Sequence, residues 1–100
     1  MEIDPDKIEV THNPAKNRFE AWVDSKLSKL DYAENDDTIM MTHVGVPVEF
    51  RGQGLAAVIT KTALEYAKSN SLRVIPICPY VMSYIRRNPQ YMGLTKKREG

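Results

Sequence analysis

The chain has 100 residues, of which 42% are hydrophobic and 27% charged, the composition of an ordinary soluble globular domain. This length supports one domain with one core, but not an additional lobe. The sequence has no apolar run near the roughly 18 residues that a membrane span needs, and residues 1–4 lack the basic and apolar regions of a signal peptide. One cysteine excludes an internal disulfide and a thiolate-rich metal site, and His12 and His43 are not spaced as a metal pair. We therefore expect a single cytoplasmic domain, residues 1–100, that holds no metal and binds no membrane.

The two halves of the chain differ in charge, although the net charge is only +1. Residues 1–50 carry five Lys or Arg and eleven Asp or Glu, a balance of −6, whereas residues 51–100 carry nine and two, a balance of +7. Such asymmetry indicates a partner rather than a fold. The basic half suits an anionic ligand, and the acidic half either attracts a cationic acceptor or is simply solvated. The short basic run Lys96-Lys97-Arg98 is too brief to predict nucleic-acid binding.

The first half of the sequence predicts an antiparallel sheet. After a loose N-terminal end, strands are predicted at residues 8–11, 18–24, 28–34 and 38–46, joined by polar turns such as Asn13-Pro14. Short turns between strands favour a meander. The last of these strands has apolar residues on both faces, so we expect it to be central and covered on both sides.

A glycine-rich turn and a helix follow. Apolar residues recur at helical spacing over residues 55–69, with Lys61, Glu65 and Lys68 on the other face. The turn Arg51-Gly52-Gln53-Gly54 opens this helix, whose first N–H groups lack intrahelical partners and carry the positive end of the helix dipole. The turn and the start of the helix, residues 51–56, therefore predict a phosphate-binding site, which we call the cradle.

Two common phosphate motifs do not describe the cradle. The Walker pattern G-x-x-x-x-G-K-[ST] is absent. Residues 52–57 nominally match the dinucleotide pattern G-x-G-x-x-A, but the acidic residue expected about 20 positions on is missing from residues 71–78.

The end of the chain predicts a strand at residues 72–78, a helix at residues 80–88 and a frayed tail from Gln90. A strand–helix–strand crossover places two strands parallel in one sheet. Pro47 and Pro76 each remove a ladder donor near the ends of these two strands, so we expect the strands to part there. The gap would form a slot for an extended ligand that pairs with exposed backbone groups.

Read as [RQ]-x-x-G-x-[GA], residues 51–56 resemble the coenzyme A loop of the GCN5-related N-acetyltransferase (GNAT) superfamily. Residues 42–56, the Cys78-Pro79-Tyr80 segment and residues 84–89 are similar to its short single-domain branch. The resemblance covers residues 8–91, which would form the core of one acetyl-CoA-binding domain. It implies an α+β, three-layer-like fold: a four-stranded antiparallel meander, a helix, a parallel fifth strand splayed from the fourth, and a C-terminal helix.

The resemblance also implies a ligand, acetyl-CoA, and the residues that bind it. Residues of the cradle would hold the pyrophosphate, and the backbone of the fourth strand would pair with the pantetheine arm. The expected cofactor-binding residues are Val44, Val46, Arg51, Gly52, Gln53, Gly54, Leu55, Ala56, Cys78, Tyr84 and Asn88.

Four side chains are candidates for catalysis. Alternation places His43 on one face with Met41 and Gly45, and it is either a base near the acetyl carbonyl or a core histidine bonded to a backbone carbonyl. Cys78 precedes a helix N-terminus and is either an acyl-accepting nucleophile or a small buried strand residue. Tyr80 and Tyr84 either donate a proton to the departing thiolate or serve in packing. Many relatives carry an acidic residue at the position of Gly45, and Glu49 is a further candidate base.

Two functions follow. The first is an acetyltransferase that moves acetyl from acetyl-CoA to a primary amine, a small molecule or a protein lysine, by direct attack. The second is a coenzyme A or acyl-CoA binding module without efficient catalysis. The short turn at residues 13–17 favours this second function, because larger GNAT enzymes have a helical segment there that shapes the acceptor site. We expect a monomer or a weak dimer.

Overall fold

The computed structural model describes residues 4–96. The strands are β1 (Thr11–Asn13), β2 (Arg18–Val23), β3 (Lys26–Asn35), β4 (Thr38–Gly45) and β5 (Arg73–Pro76), and the α-helices are α1 (Leu55–Ser69) and α2 (Pro79–Arg87). Short 3-10 helices lie at Pro5–Lys7, Pro14–Lys16, Val48–Phe50 and Pro89–Thr95. Within residues 4–96, no helix combines the length and the apolar character needed to cross a membrane.

The five strands form one mixed sheet in the order β1-β2-β3-β4-β5. The first three pairings are antiparallel, and β4 and β5 are parallel. Helix α1 makes the crossover between β4 and β5, as such a parallel pair requires. The α+β class, the meander and the parallel fifth strand are therefore confirmed.

Helix α1 has the bounds that its apolar spacing predicted. Leu55, Ile59, Ala63 and Ala67 recur every four residues and are each at most 1% exposed, so one stripe faces the sheet. The helix ends at Asn70, whose backbone N–H and side-chain amide both donate to the carbonyl oxygen of Tyr66. These bonds satisfy an otherwise orphaned carbonyl at the helix terminus.

The core lies against one face of the sheet. Phe19, Leu30, Met41 and Val74 come from four successive strands, share that face and are at most 1% exposed. Residues that alternate with the core residues lie on the other face, which we call the open face. The exposed residues there include Trp22, Ala33, Met40 and His43. Because Met40 is 38% exposed, the prediction that β4 is covered on both sides is wrong.

The structure also corrects the first strand. It covers Thr11–Asn13 rather than residues 8–11, and His12 pairs with Phe19. The His12 ring stacks on the Phe19 ring with centroids 4.3 Å apart. This contact stabilises the observed pairing, which begins later in the chain than local β-propensity indicates.

The predicted frayed tail is wrong for the described part of that segment. Pro89–Thr95 is a 3-10 helix in which Tyr91 is only 4% exposed and donates a 2.6 Å hydrogen bond to Glu65. The rest of the predicted tail, residues 97–100, lies outside the described residues, as do residues 1–3 of the predicted loose N-terminus.

Candidate functional site

Strands β4 and β5 part at a defined point. Their parallel pairing ends where Met41 faces Pro76, and the backbone N–H of Cys78 then donates a 3.0 Å hydrogen bond to the Met41 carbonyl. Strand β4 continues to Gly45, paired only with β3. The structure thus contains the predicted gap, along which part of the β4 backbone has no neighbouring strand on the side of β5.

A β-bulge lies at the start of this gap. Met41 pairs with Tyr32 and His43 pairs with Asp31, so Thr42 is an extra residue on β4. The Thr42 hydroxyl donates a 3.2 Å hydrogen bond to the carbonyl of Asp31. Bulges of this kind redirect side chains and are over-represented next to active sites.

The bulge decides where His43 points. Met41 is fully buried in the core, whereas His43 is exposed on the open face. Simple alternation had placed His43 on the same face as Met41, and this prediction is wrong because the bulge reverses the alternation. The alternative that His43 is a core histidine is therefore also wrong.

The cradle has the backbone conformation that an anion site needs. Gly52 and Gly54 have φ angles of 81° and 89°, in the left-handed region that glycine adopts without a Cβ penalty. Gly54 is the N-cap of α1, with no side-chain cap, and its carbonyl accepts the first helical bond from Val58. The N–H groups of Leu55 and Ala56 therefore have no intrahelical acceptor and point out of the helix start.

A single cleft joins the gap to the cradle. Its volume is about 580 Å³, within the usual range of about 300–1,000 Å³ for ligand sites. Residues from the end of β4, the following loop, the start of α1 and the start of α2 line it. They are His43, Val44, Gly45, Val46, Phe50, Arg51, Gly52, Gly54, Leu55, Ala56, Ala57 and Tyr80.

Most of the residues predicted for the site line this cleft, but four do not. Those four are Gln53, Cys78, Tyr84 and Asn88. The Gln53 amide reaches the carbonyl of Glu49, and the Asn88 amide donates to the carbonyl of Tyr84 at 2.9 Å. Asn88 therefore caps the end of α2, and the ligand-binding roles of all four stay predictions.

Sequence reasoning did not assign Gly45, Phe50 or Ala57 to the lining, and it considered Gly45 only as a position that lacks an acidic side chain. Phe50 is 5% exposed and closes the 3-10 helix just before the cradle. An apolar residue next to a glycine turn was the available signal for it. For Ala57, the only available signals were its small size and its place in the first turn of α1.

Cys78 occupies the N-cap position of α2 and is 7% exposed. Its backbone holds the last link between β4 and the segment after β5. Cys78 is buried, and it is not one of the residues that line the cleft. A nucleophilic role for Cys78 stays a prediction.

The tyrosines of α2 are potential proton donors. Burial raises the pKa of Tyr80, partly offset by the Arg87 charge, and burial also raises the pKa of Tyr84. Tyr84 lies between two other rings, with centroids 6.5 Å from Tyr80 and 6.2 Å from Tyr91. These phenols keep their protons at neutral pH, and Tyr80 presents its ring to the cleft.

Glu49 is a poor candidate base in this geometry. It forms an ion pair with Lys26, and the hydrogen bond from that ammonium group lowers the pKa of the Glu49 carboxyl. Glu49 is also not part of the cleft lining. Within residues 4–96, no three His, Cys, Asp or Glu side chains are grouped so that they could hold a metal ion.

The fold and the cleft together define a class of protein. Residues 18–94 match the family model described as GCN5-related N-acetyl-transferase. The chain belongs to this family, and the resemblance seen in the sequence is confirmed.

Comparison with a solved structure supports the fold. The solution structure of a GCN5-like protein from Staphylococcus aureus superimposes with a TM-score of 0.70, covering 91% of this chain and 90% of that one. The sequence identity is 24%, so this likeness concerns the fold alone.

Curated relatives share the name Protein NATD1. The Xenopus tropicalis protein is 28% identical over 97 residues, which cover 90% of this chain and 88% of that protein. The Homo sapiens protein is 33% identical over 54 residues, which cover 52% of this chain and 48% of that protein. The chain therefore has a distant sequence similarity to these proteins.

Proposed function

We propose that this chain is an N-acetyltransferase that binds acetyl-CoA in the cleft and transfers the acetyl group to a primary amine. One observation carries the proposal: the parting of β4 and β5 and the glycine cradle open into the same cleft. A backbone slot and a phosphate site, side by side, suit a long ligand with an extended arm and a pyrophosphate.

Different parts of the cleft would hold different parts of the ligand. The N–H groups at the start of α1 suit the pyrophosphate, and the exposed Arg51 guanidinium adds a charge-assisted contact. The backbone of Val44 and Val46, beyond the end of β5, suits the amide groups of the pantetheine arm. This division follows the roles that the family resemblance implies.

The bound thioester would supply the activated acetyl group, and the protein would supply position and polarity. Backbone N–H groups along the unpaired part of β4 can stabilise the oxyanion that develops on the carbonyl oxygen. The Tyr80 phenol, protonated at neutral pH, can donate to the departing thiolate. Holding the thioester against the incoming amine contributes through orientation.

The acceptor side of the site is open. The segment between β1 and β2 is only the 3-10 helix Pro14–Lys16, so no long helical segment covers the open face there. An open side admits either a small amine or a protein lysine. This openness, and the lack of any carboxylate in the described cleft lining, also favour the second candidate, an acyl-CoA binding module. Release of free thiol from acetyl-CoA with a panel of amines separates the two functions.

Substitution of Gly54 tests the cradle. Because Gly54 has a φ of 89° and lines the cleft, Gly54→Val places a branched side chain beside the bound pyrophosphate. We expect coenzyme A affinity in calorimetry to fall at least tenfold, about 1.4 kcal/mol. Gly93→Val is a control for the added side chain alone, because Gly93 is exposed, has open space around it, lies outside the cleft lining and has no positive φ. Equal affinity of folded Gly54→Val and the control would place the ligand elsewhere.

Cys78 separates direct transfer from a covalent route. We propose direct transfer, because an amine that enters from the open side reaches the thioester without an additional step. Intact-protein mass spectrometry after brief exposure to acetyl-CoA should then show no acetyl group on Cys78, and Cys78→Ala should keep most of the rate. An acetyl-Cys78 that forms and discharges as fast as turnover would establish the covalent route instead.

A cytoplasmic location and a monomeric or weakly dimeric state are also part of this proposal. Cell fractionation and sedimentation at several protein concentrations test them.

A further inference from the structure

One of the chain's own lysines lies against the wall of the cleft. Lys29 is on the open face of β3, and its partner across the β3–β4 pairing is Gly45, which lines the cleft. The Lys29 stem lies over this glycine, because a Cβ atom built on Gly45 would be only 4.0 Å from Lys29 Cγ. Since Gly45 has no side chain, that residue places nothing between the stem and the cleft.

The ammonium group of Lys29 is held at the same edge of the cleft. Its Nζ lies 3.2 Å from Asp31 Oδ2, and Asp31 faces His43 across the β3–β4 pairing. Gly45 and His43 both line the cleft. The stem therefore lies over one lining residue, and the ammonium group is paired with the neighbour of the other. A primary amine is thus present beside the cleft, on the open face from which we expect an acceptor to enter.

The ion pair with Asp31 does not hold this amine permanently. The side chains of Lys29 and Asp31 are 34% and 30% exposed, so solvent screens the attraction between them. Rotatable bonds at Cδ and Cε separate the ammonium group from the Cγ atom that lies over Gly45. The ammonium group can therefore leave Asp31 and turn toward the cleft while the lower part of the stem stays in place.

We propose that Lys29 is an acetyl acceptor within the chain, and that acetyl-CoA bound in the cleft acetylates Nζ of Lys29 in the same molecule. The proposal rests on the transferase function proposed above, and it gives that site one definite acceptor, a lysine ε-amine. Tethering favours the reaction, because an amine attached beside the site has an effective concentration in the millimolar range. External amines have to exceed roughly this concentration before they compete with Lys29.

The step conserves atoms and charge. The Lys29 ammonium group leaves Asp31 and loses one proton to solvent, and the freed electron pair of Nζ attacks the acetyl carbonyl carbon to form the C–N bond. The resulting oxyanion collapses, the C–S bond breaks, and the thiolate leaves with the bonding pair. The nitrogen then loses a second proton, and the thiolate gains one to become the free thiol. The products are acetyl-Lys29, coenzyme A and one proton, and Asp31 is left without its cationic partner.

Isotope labelling tests the site. The purified chain is incubated with micromolar trideuteroacetyl-CoA, which distinguishes new acetyl groups from any added during expression, and the labelled peptides are mapped by mass spectrometry. Lys26 is the matched control, because it lies on the same strand and is paired with Glu49, which is outside the cleft lining. The Lys26 side chain is also the more exposed, 50% against 34% for Lys29. We nevertheless expect Lys29 to be labelled at least about tenfold faster, because its effective concentration exceeds that of free acetyl-CoA.

Variants separate the route through the cleft from ordinary chemical acetylation. Lys29→Arg keeps a cation for Asp31 but removes the primary amine, so it should abolish this label, whereas Lys26→Arg should leave it unchanged. Gly54→Val, or excess unacetylated coenzyme A with wild type, should slow labelling of Lys29 and leave labelling of Lys26 unchanged, because only Lys29 depends on the bound thioester. The fraction of Lys29 labelled per unit time should not change with protein concentration, since both reactants are in one molecule.

Each other outcome overturns a specific point. Labelling that follows side-chain exposure and is insensitive to coenzyme A would be uncatalysed, and would overturn the proposal. A labelling rate that rises in proportion to protein concentration would show transfer between molecules, and would overturn acetylation within one chain. If wild type acetylates external amines but leaves Lys29 unlabelled, the role of Lys29 fails and the transferase function stands. If acetyl-CoA binds but neither Lys29 nor any external amine is acetylated, the transferase function fails, and the acetylation of Lys29 fails with it.

Discussion

The two histidines of this chain stand in opposite situations. His12 stacks on Phe19, meets the edge of Tyr66 at 4.6 Å, and shares a 2.6 Å hydrogen bond with the Tyr32 hydroxyl. His43 is exposed on the open face and lies against a glycine at the wall of the cleft. One ring is held by the fold, and the other is left available to a ligand. The residue type is the same in both cases, so it does not distinguish the two roles. What distinguishes them is the number of hydrogen-bond and stacking partners within the fold.

The same contrast extends to the two regions around them. We call His12, Phe19, Tyr32, Tyr66 and Glu34 the aromatic cluster, in which Tyr66 also donates a 2.9 Å hydrogen bond to Glu34. Its polar atoms find partners within the chain. The cleft, in contrast, is lined by the end of β4, whose β5 side is unpaired, and by the glycine turn that opens α1. We therefore expect changes in the cluster to affect stability, and changes in the cleft to affect ligand binding.

The largest expected effect is on stability and comes from Phe19. Phe19→Ala removes a ring that is 1% exposed and supports His12, so unfolding free energy should fall by about 3–5 kcal/mol in urea denaturation. Trp22→Ala is the control on the same strand, because Trp22 is 59% exposed on the open face and should cost only about 0.5 kcal/mol. Similar losses for the two variants would mean that the core is not confined to one face.

A smaller loss is expected from Tyr32. Tyr32→Phe keeps the ring but removes the hydroxyl that pairs with His12, which should cost about 1 kcal/mol of unfolding free energy. Tyr66→Phe removes the more exposed bond to Glu34 and should cost less. If the order of the two losses were reversed, the Glu34 bond rather than the His12 bond would be the stronger link in the cluster.

Arg51 is the corresponding test in the cleft. Arg51→Ala should weaken coenzyme A binding at most about fivefold, about 1 kcal/mol, without lowering the unfolding free energy. The loss should shrink as salt is raised, because the contact is exposed and electrostatic. Calorimetry at several salt concentrations measures this, and a loss independent of salt would mean that Arg51 acts by packing.

The smallest effect concerns pH and His12. Burial lowers the pKa of His12 in the folded state below its ordinary value of 6.5, and the Glu34 charge only partly opposes this. The folded state therefore binds this proton less readily than the unfolded state, so the His12 contribution to stability is complete above pH 6.5 and is lost as pH falls below it. Urea denaturation across this range should show a shallower pH slope for His12→Gln than for wild type. Identical slopes would show that His12 does not contribute to the loss of stability at low pH.

Much of the fold could be predicted from local patterns. Helix α1 had a regular apolar stripe and a glycine start, and its bounds were predicted correctly. Pro76 correctly indicated where the pairing between β4 and β5 ends, because proline lacks the N–H that a ladder needs. These features depend on residues close together in the sequence.

The bulge at Thr42 could not be predicted in this way. Whether a strand carries an extra residue depends on its register with β3, which is a long-range property. The consequence was an error at His43, which alternation placed on the core face. The position of β1 was missed for a similar reason, because the stacking of His12 on Phe19 joins two strands.

The sheet edges also have a consequence for behaviour at high protein concentration. The edge strand β1 is three residues long, and β5 is four residues long and ends in Pro76. Edges this short offer few free donors and acceptors to a second chain, which limits the growth of the sheet into fibrils. The open face, with Trp22 and Met40 exposed, is then the more favourable contact. Crowded solutions of this protein should therefore form reversible, side-chain-mediated associations that disperse on dilution.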